Sequence, residues 1–203
     1  GLAMSIHPAI AVYEQTERHD FPLILVFGRE PNSPHHKSKG VGRYDFNTSK
    51  RCAFWNIAYR TVGKSASKPV TSQEMKRICH SAKGSPIVFA DALPIGLEDK
   101  EKSKYRRRLA VSDADVTDHI LEIFSHQKIL DRTAIILLSG VEGTEFSRSL
   151  EQIEHEASAR KIPSLRVPFF YGNNVKKIEA SMATSNAICV QQAVNRFVEL
   201  FHK

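Results

Sequence analysis

The segment Gly28-Arg29-Glu30-Pro31-Asn32 follows directly on an apolar run, Leu23 to Phe27, and has the make-up of a ligand-facing turn. Glycine lets a ligand approach the backbone, proline stiffens the turn, and the polar residues between them are aimed beyond the run. A carboxylate held there, Glu30, is a candidate for acid–base work, with turn capping or a contact to Arg29 as the plainer role. A second carboxyl, Asp91, ends another apolar run, Ile87 to Ala90, where it could equally be an N-cap or a loop acceptor. Asn173 and Asn174 follow a further strand-like stretch, Leu165 to Phe170. Other chemistries lack their residues. His35-His36 has no third ligand spaced to join it, so no metal is expected. Ser139 lacks a Gly-x-Ser-x-Gly elbow, no cysteine ends an apolar run, and Gly-rich phosphate motifs are missing, so no cofactor is expected.

The elements that must position these residues follow from apolar patterning. Residues 5–17 are expected to form a short helix, with Ile6, Ile10 and Tyr13 on one face. Leu23 to Phe27, Ile87 to Ala90 and Ala134 to Leu138 are continuous apolar runs of the kind buried on both faces of a parallel sheet, and Leu165 to Phe170 gives a fourth strand, although Pro168 weakens it. Residues 28–50, rich in Gly, Pro, Ser, Asn and His, read as a long loop. Phe54, Trp55, Ala58, Tyr59 and Val62 recur at helical spacing. Thr71 to Glu74 has capping-box spacing and opens a helix to about Ser81. Ser112 is placed to cap a helix over 113–127 that carries Val116, Ile120, Ile123 and Phe124. A polar helix over 144–160 and a closing helix carrying Val190, Ala193, Val194, Phe197, Val198 and Phe201 complete the series, and Gly140 breaks the third strand.

Four buried strands alternating with helices predict an α/β fold: a three-layer α/β/α sandwich around a four-stranded parallel sheet. A single domain over residues 4–203 is expected, with residues 1–3 a cloning remnant before a start at Met4. Ligands of such sheets bind beyond the carboxyl ends of the strands. That rule selects residues 28–33, 91–96, 139–143 and 171–174.

Charge adds a partner. The 203 residues carry 29 Lys plus Arg against 22 Asp plus Glu, a net charge of +7. Arg29 to Arg51 holds six basic and two acidic residues, and Lys100 to Arg108 six basic and one acidic, so the rest of the chain is slightly acidic. Two basic segments on such a body suit a polyanion, while simple solubilisation would also explain them. Cys52, Cys79 and Cys189 are odd in number, widely spread and without Cys-x-x-Cys spacing, which predicts reduced thiols and a cytoplasmic protein. No apolar run approaches the ~20 residues of a membrane helix, so no membrane partner is expected.

Together with the long loop and the helix opening Ala53-Phe54-Trp55-Asn56-Ile57-Ala58-Tyr59, the Gly28 turn resembles the uracil-DNA glycosylase superfamily, particularly its mismatch-specific and single-strand-selective branches. Those enzymes have an apolar strand, a Gly-x-Asn/Asp-Pro turn, a long loop and a helix beginning near Phe-Trp. The resemblance covers the first apolar run through the first helix, and the later strand order loosely. Leu138-Ser139-Gly140 is similar to the strand-end glycine of the family, and Asp91 stands where it usually has a base-reading Asn. Glu30 replaces the commoner Asp or Asn. The second family motif, His-Pro-Ser or Asn-Pro-Ser, has no counterpart in Phe169 to Lys177, so its leaving-group His has no clear owner.

The resemblance implies hydrolysis of the N-glycosidic bond of a damaged or deaminated base in DNA, single- or double-stranded, after the base has flipped out. Glu30 would hold the attacking water or stabilise the sugar cation, beside Gly28. Asn32, Asn173 or Asn174 would donate to the departing base, with Asn173 best placed. Tyr44 or Phe46 would stack on the base, or only pin the loop. An ionised Asp91 only accepts hydrogen bonds, which moves the expected preference from plain uracil towards bases with an exocyclic amine. Lys104, Arg106, Arg107, Arg108, Lys176 and Lys177 would contact phosphates. Two other classes remain: a catalytically silent nucleic-acid-binding module on the same fold, and an unrelated α/β hydrolase acting on a small anion.

Overall fold

Every residue of Leu23–Gly28 and of Ile87–Asp91 is buried, as strands covered on both faces require. A computed structural model describes residues 4–6, 10–11, 20–30, 53–80, 85–97, 111–141, 146–183 and 187–202. In chain order these form β1 (Met4–Ile6), β2 (Ile10–Ala11), β3 (Leu23–Gly28), α1 (Ala53–Lys64), α2 (Ser72–Cys79), β4 (Ile87–Asp91) and β5 (Ile95–Leu97). There follow α3 (Asp113–Phe124), α4 (Gln127–Leu130), β6 (Thr133–Ser139), α5 (Ser147–Ala159), β7 (Ser164–Val167), a 3-10 turn (Gly172–Asn174), α6 (Val175–Met182) and α7 (Ile188–Phe201).

The fold is α/β. Strands β4, β3, β6 and β7 pair in parallel in that spatial order, and β2 adds an antiparallel edge beside β4. From β3 the chain crosses to β4 on one side, then returns past it to β6 and β7. Right-handed crossovers of opposite direction put α1 and α2 on one face and α3 and α5 on the other. The packing agrees: α1 lies against α2, α6 and α7, and α3 against α5. The reversal between β3 and β6 is the topological switch point, where open α/β sheets leave a crevice for ligands.

Packing holds this arrangement. Trp55 stacks flat on Phe89, ring centroids 4.4 Å apart, and fixes α1 to the sheet. Each fully buried Leu, Ile, Val or Phe contributes about 1.5–3 kcal/mol, and the middle residues of β3 and β6 are fully buried. An exposed ion pair such as Lys64–Glu179 contributes about 0–1 kcal/mol, so the apolar core outweighs it. Cys79 and Cys189 are free, and burial pushes the Cys79 thiol up to about 12. Among the described residues no helix is long and apolar enough to cross a membrane.

The structure corrects several expected elements. The helix expected over 5–17 is not formed at its described residues. Met4–Ile6 pairs antiparallel with Ile95–Leu97, and Ile10–Ala11 with Ala90 and Phe89. The first pair is a separate two-stranded sheet and the second lies on the open β4 edge of the main sheet, and both give the backbone partners that outweigh weak helical periodicity. The last parallel strand stops at Val167, because Pro168 has no N–H for the ladder. The helix capped by Ser112 ends at Phe124, where Ser125 and His126 divert the chain into α4. Helix α2 ends at Cys79, two residues early, and α6 has no counterpart among the expected elements. The long loop, the Lys100–Arg108 segment and Cys52 lie outside the described residues.

Candidate functional site at the strand ends

Because β3, β4, β6 and β7 run in parallel, Gly28, Asp91, Ser139 and Val167 arrive at one rim of the sheet. Gly28 and Asp91 are direct register partners. The ladder continues past them, since Ala92 N–H donates to Gly28 O at 2.9 Å and Leu93 N–H to Arg29 O at 3.0 Å. Asp91 is thus held by its backbone on the β3 side. From the other face, His119 of α3 brings Nε2 to 2.7 Å from the Asp91 carbonyl oxygen. Burial lowers the His119 pKa, so the ring is neutral and donates this hydrogen bond.

The Asp91 side chain lies over Gly28. A β-carbon there would sit 2.9 Å from Asp91 Oδ1 and 3.4 Å from the Phe54 ring, so glycine is what leaves room for the carboxyl. The residue is only 7% exposed, and Oδ2 has no hydrogen-bond partner among the described residues. Burial, with the nearby Glu30 charge as a smaller cause, pushes its pKa up to about 8. At neutral pH Asp91 therefore carries a proton. A carboxylic acid offers one donor and one acceptor, as an amide does, whereas the sequence reading takes Asp91 as an ionised acceptor. Glu30 is half-buried beside it at the end of β3.

Arg29 closes the switch-point crevice. Its Nε donates to Gly140 O at 2.8 Å, and its guanidinium lies over the Phe169 ring at 4.6 Å and near Phe146 at 5.8 Å. Gly140 has φ +66°, and a β-carbon there would be 2.5 Å from Phe169 Cβ, so the strand break expected at this glycine is also a tight contact. Ser139 is fully buried; its hydroxyl accepts from Phe170 N–H at 2.9 Å and faces Pro168 O at 3.4 Å. That hydroxyl ties β6 to the exit of β7, which does not suit a hydrolase nucleophile. Phe54 walls the site, packing against Phe89, Phe169 and Phe170.

Of the residues expected at the site, Gly28, Glu30 and Asp91 come together. Asn173 and Asn174 lie on the β7 side of the same rim, but their amides are engaged locally. Asn173 Nδ2 donates to Tyr171 Oη at 2.8 Å, and Asn174 Nδ2 to Phe169 O at 3.1 Å. Lys176 and Lys177 are exposed on the first turn of α6, beyond the rim. Asn32, Tyr44, Phe46, Lys104, Arg106, Arg107 and Arg108 lie outside the described residues. As members of the site, His119 and Phe54 escape sequence reasoning. His119 falls three residues after Val116 and four before Ile123, so its place on a buried helical stripe is a usable signal. Among the described residues no three His, Cys, Asp or Glu side chains converge as a metal site. Comparison with protein-family models finds no match for this chain, and comparison with curated proteins finds none either.

Proposed function

We propose that this protein hydrolyses the N-glycosidic bond of an aberrant base in DNA, as a divergent relative of the uracil-DNA glycosylase superfamily. The observation that carries this reading is the juxtaposition of Glu30 with a buried Asp91 carboxyl over Gly28 at adjoining strand ends, where burial raises the Asp91 pKa. A flipped base with a carbonyl beside an N–H finds both partners in the Asp91 carboxyl: an O–H for its oxygen and an oxygen for its N–H. This lactam edge, present in uracil and in deaminated purines, replaces the amino-bearing edge that an ionised Asp91 would favour. Water held by Glu30 adds its oxygen to the anomeric carbon while the carbon–nitrogen bond breaks and its electron pair leaves with the base. Glu30 takes the water proton, which returns to the departing base, and its charge stabilises the oxocarbenium-like sugar.

The test is release of base from single- and double-stranded oligonucleotides carrying uracil, mispaired thymine, deaminated purines or alkylated bases, revealed by alkaline cleavage at abasic sites. The expected result is release of a lactam-edged base that Glu30→Gln slows by about 10²–10⁴-fold. Release unaffected by that substitution overturns the assignment of Glu30. The engaged amides of Asn173 and Asn174 favour a second reading, a nucleic-acid-binding module without catalysis. Oligonucleotide binding with no base released from any substrate would select it.

A further inference from the structure

The run Phe169-Phe170-Tyr171 divides into three environments. Phe170 is buried in the core, and Phe169 lies between Phe54 and Arg29. Tyr171 is 50% exposed, although it is the third aromatic in a row at the exit of the sheet. Its hydroxyl accepts a 2.8 Å hydrogen bond from Asn173 Nδ2, which holds the half-exposed ring from its polar end. Among the described residues, nothing beyond its chain neighbours lies within 4 Å of the position where a Gly172 side chain would begin. One turn further on, Lys176 and Lys177 are exposed while Ile178 packs inward. Glu179, the acidic residue of α6, is committed to Lys64 of α1 at 2.8 Å. Neither Lys176 nor Lys177 has an ion-pair partner among the described residues.

A held aromatic ring followed by unneutralised lysines is the combination that binds a single nucleic-acid strand. The ring offers a stacking surface that tolerates any base, and the ammonium groups follow the phosphates. We propose that Tyr171, latched by Asn173 and followed by Lys176 and Lys177, is a docking point for single-stranded DNA, with one base stacked on the Tyr171 ring and the adjoining phosphates at the two lysines. The inference rests on the nucleic-acid partner of the function proposed above, but not on its catalysis. It assigns Asn173 a positioning role in place of donation to a leaving base.

The test is fluorescence anisotropy of a labelled oligothymidylate titrated with the whole protein across a series of salt concentrations. Tyr171→Ala is expected to weaken binding about tenfold, while Tyr171→Phe keeps most of the affinity because it retains the stacking face. Replacing Lys176 and Lys177 together by glutamine is expected to reduce the salt slope by about 0.7 for each phosphate no longer neutralised. Binding by Tyr171→Ala within twofold of wild type, with an unchanged circular dichroism spectrum, overturns the proposal. So does wild-type protein that binds no oligothymidylate. If binding depends on Tyr171 but no base is released from any substrate, the docking point stands and the catalytic reading falls. If base is released and Tyr171→Ala binds like wild type, the docking point falls and the catalytic reading stands.

Discussion

Asp91 and His119 share one backbone carbonyl and respond to pH in opposite senses. Burial raises the Asp91 carboxyl from its ordinary 3.8 to about 8, so the unfolded chain ionises first. The stability contributed by its neutral form is fully present below 3.8 and is lost as pH rises through about 8. Burial lowers His119 from its ordinary 6.5, so its contribution is present above 6.5 and is lost as pH falls through the lowered value. Asp91→Asn keeps the shape and removes the charge. Urea denaturation should show wild type losing stability from about pH 5 to about pH 8, and Asp91→Asn free of that decline by on the order of a few kcal/mol. Matching profiles for the two proteins would show that Asp91 is ionised in the fold. The residue itself was legible in the sequence, since it ends an apolar run. Its raised pKa was not, because that depends on burial and on the nearness of Glu30, which only the folded sheet sets.

Secondary elements were most legible where a local signal carried its own chemistry. The Ser112 cap is reciprocal, with Ser112 Oγ accepting from Asp115 N–H and Asp115 accepting from Ser112 N–H. Thr71 accepts from Glu74 N–H, but the Glu74 carboxylate turns to Arg77, so only half of the expected box forms. Strands at the sheet edge were less legible. Ile10–Ala11 is two residues long, and only its partner on β4 makes it a strand. Helix α6 was hidden for another reason: it is eight residues long and its N-cap, Asn174, makes no side-chain capping hydrogen bond. Two substitutions separate a cap from a packed turn. Ser112→Ala is expected to cost about 1 kcal/mol of unfolding free energy. Gly140→Ala is expected to cost more, about 3 kcal/mol, since it adds a left-handed backbone penalty to a clash with Phe169. Equal midpoints for the two in urea would contradict this ranking.

At the scale of the molecule, the order β4-β3-β6-β7 fixes which residues can meet. Its reversal sets β3 between β4 and β6, so the Gly28 turn faces Asp91 on one side and Gly140 on the other. Arg29 fills the second side, and on the first the backbone ladder continues from Gly28 and Arg29 to Ala92 and Leu93. Three of the four parallel strands were legible from uninterrupted apolar runs and β7 only in part, since Arg166 and Pro168 interrupt its pattern, while the spatial order of all four, and hence the pairing of Glu30 with Asp91, depends on crossover geometry that no local pattern encodes. The central claim is that a protonated Asp91 reads the ligand beside Glu30. The most direct measurement is the rate of uracil release from a single-stranded oligonucleotide between about pH 7 and 9, for wild type and Asp91→Asn. The expected result is a wild-type rate that falls as pH passes about 8 and an Asp91→Asn rate that does not fall there. The same alkaline decline in both proteins, or no release by either, would contradict it.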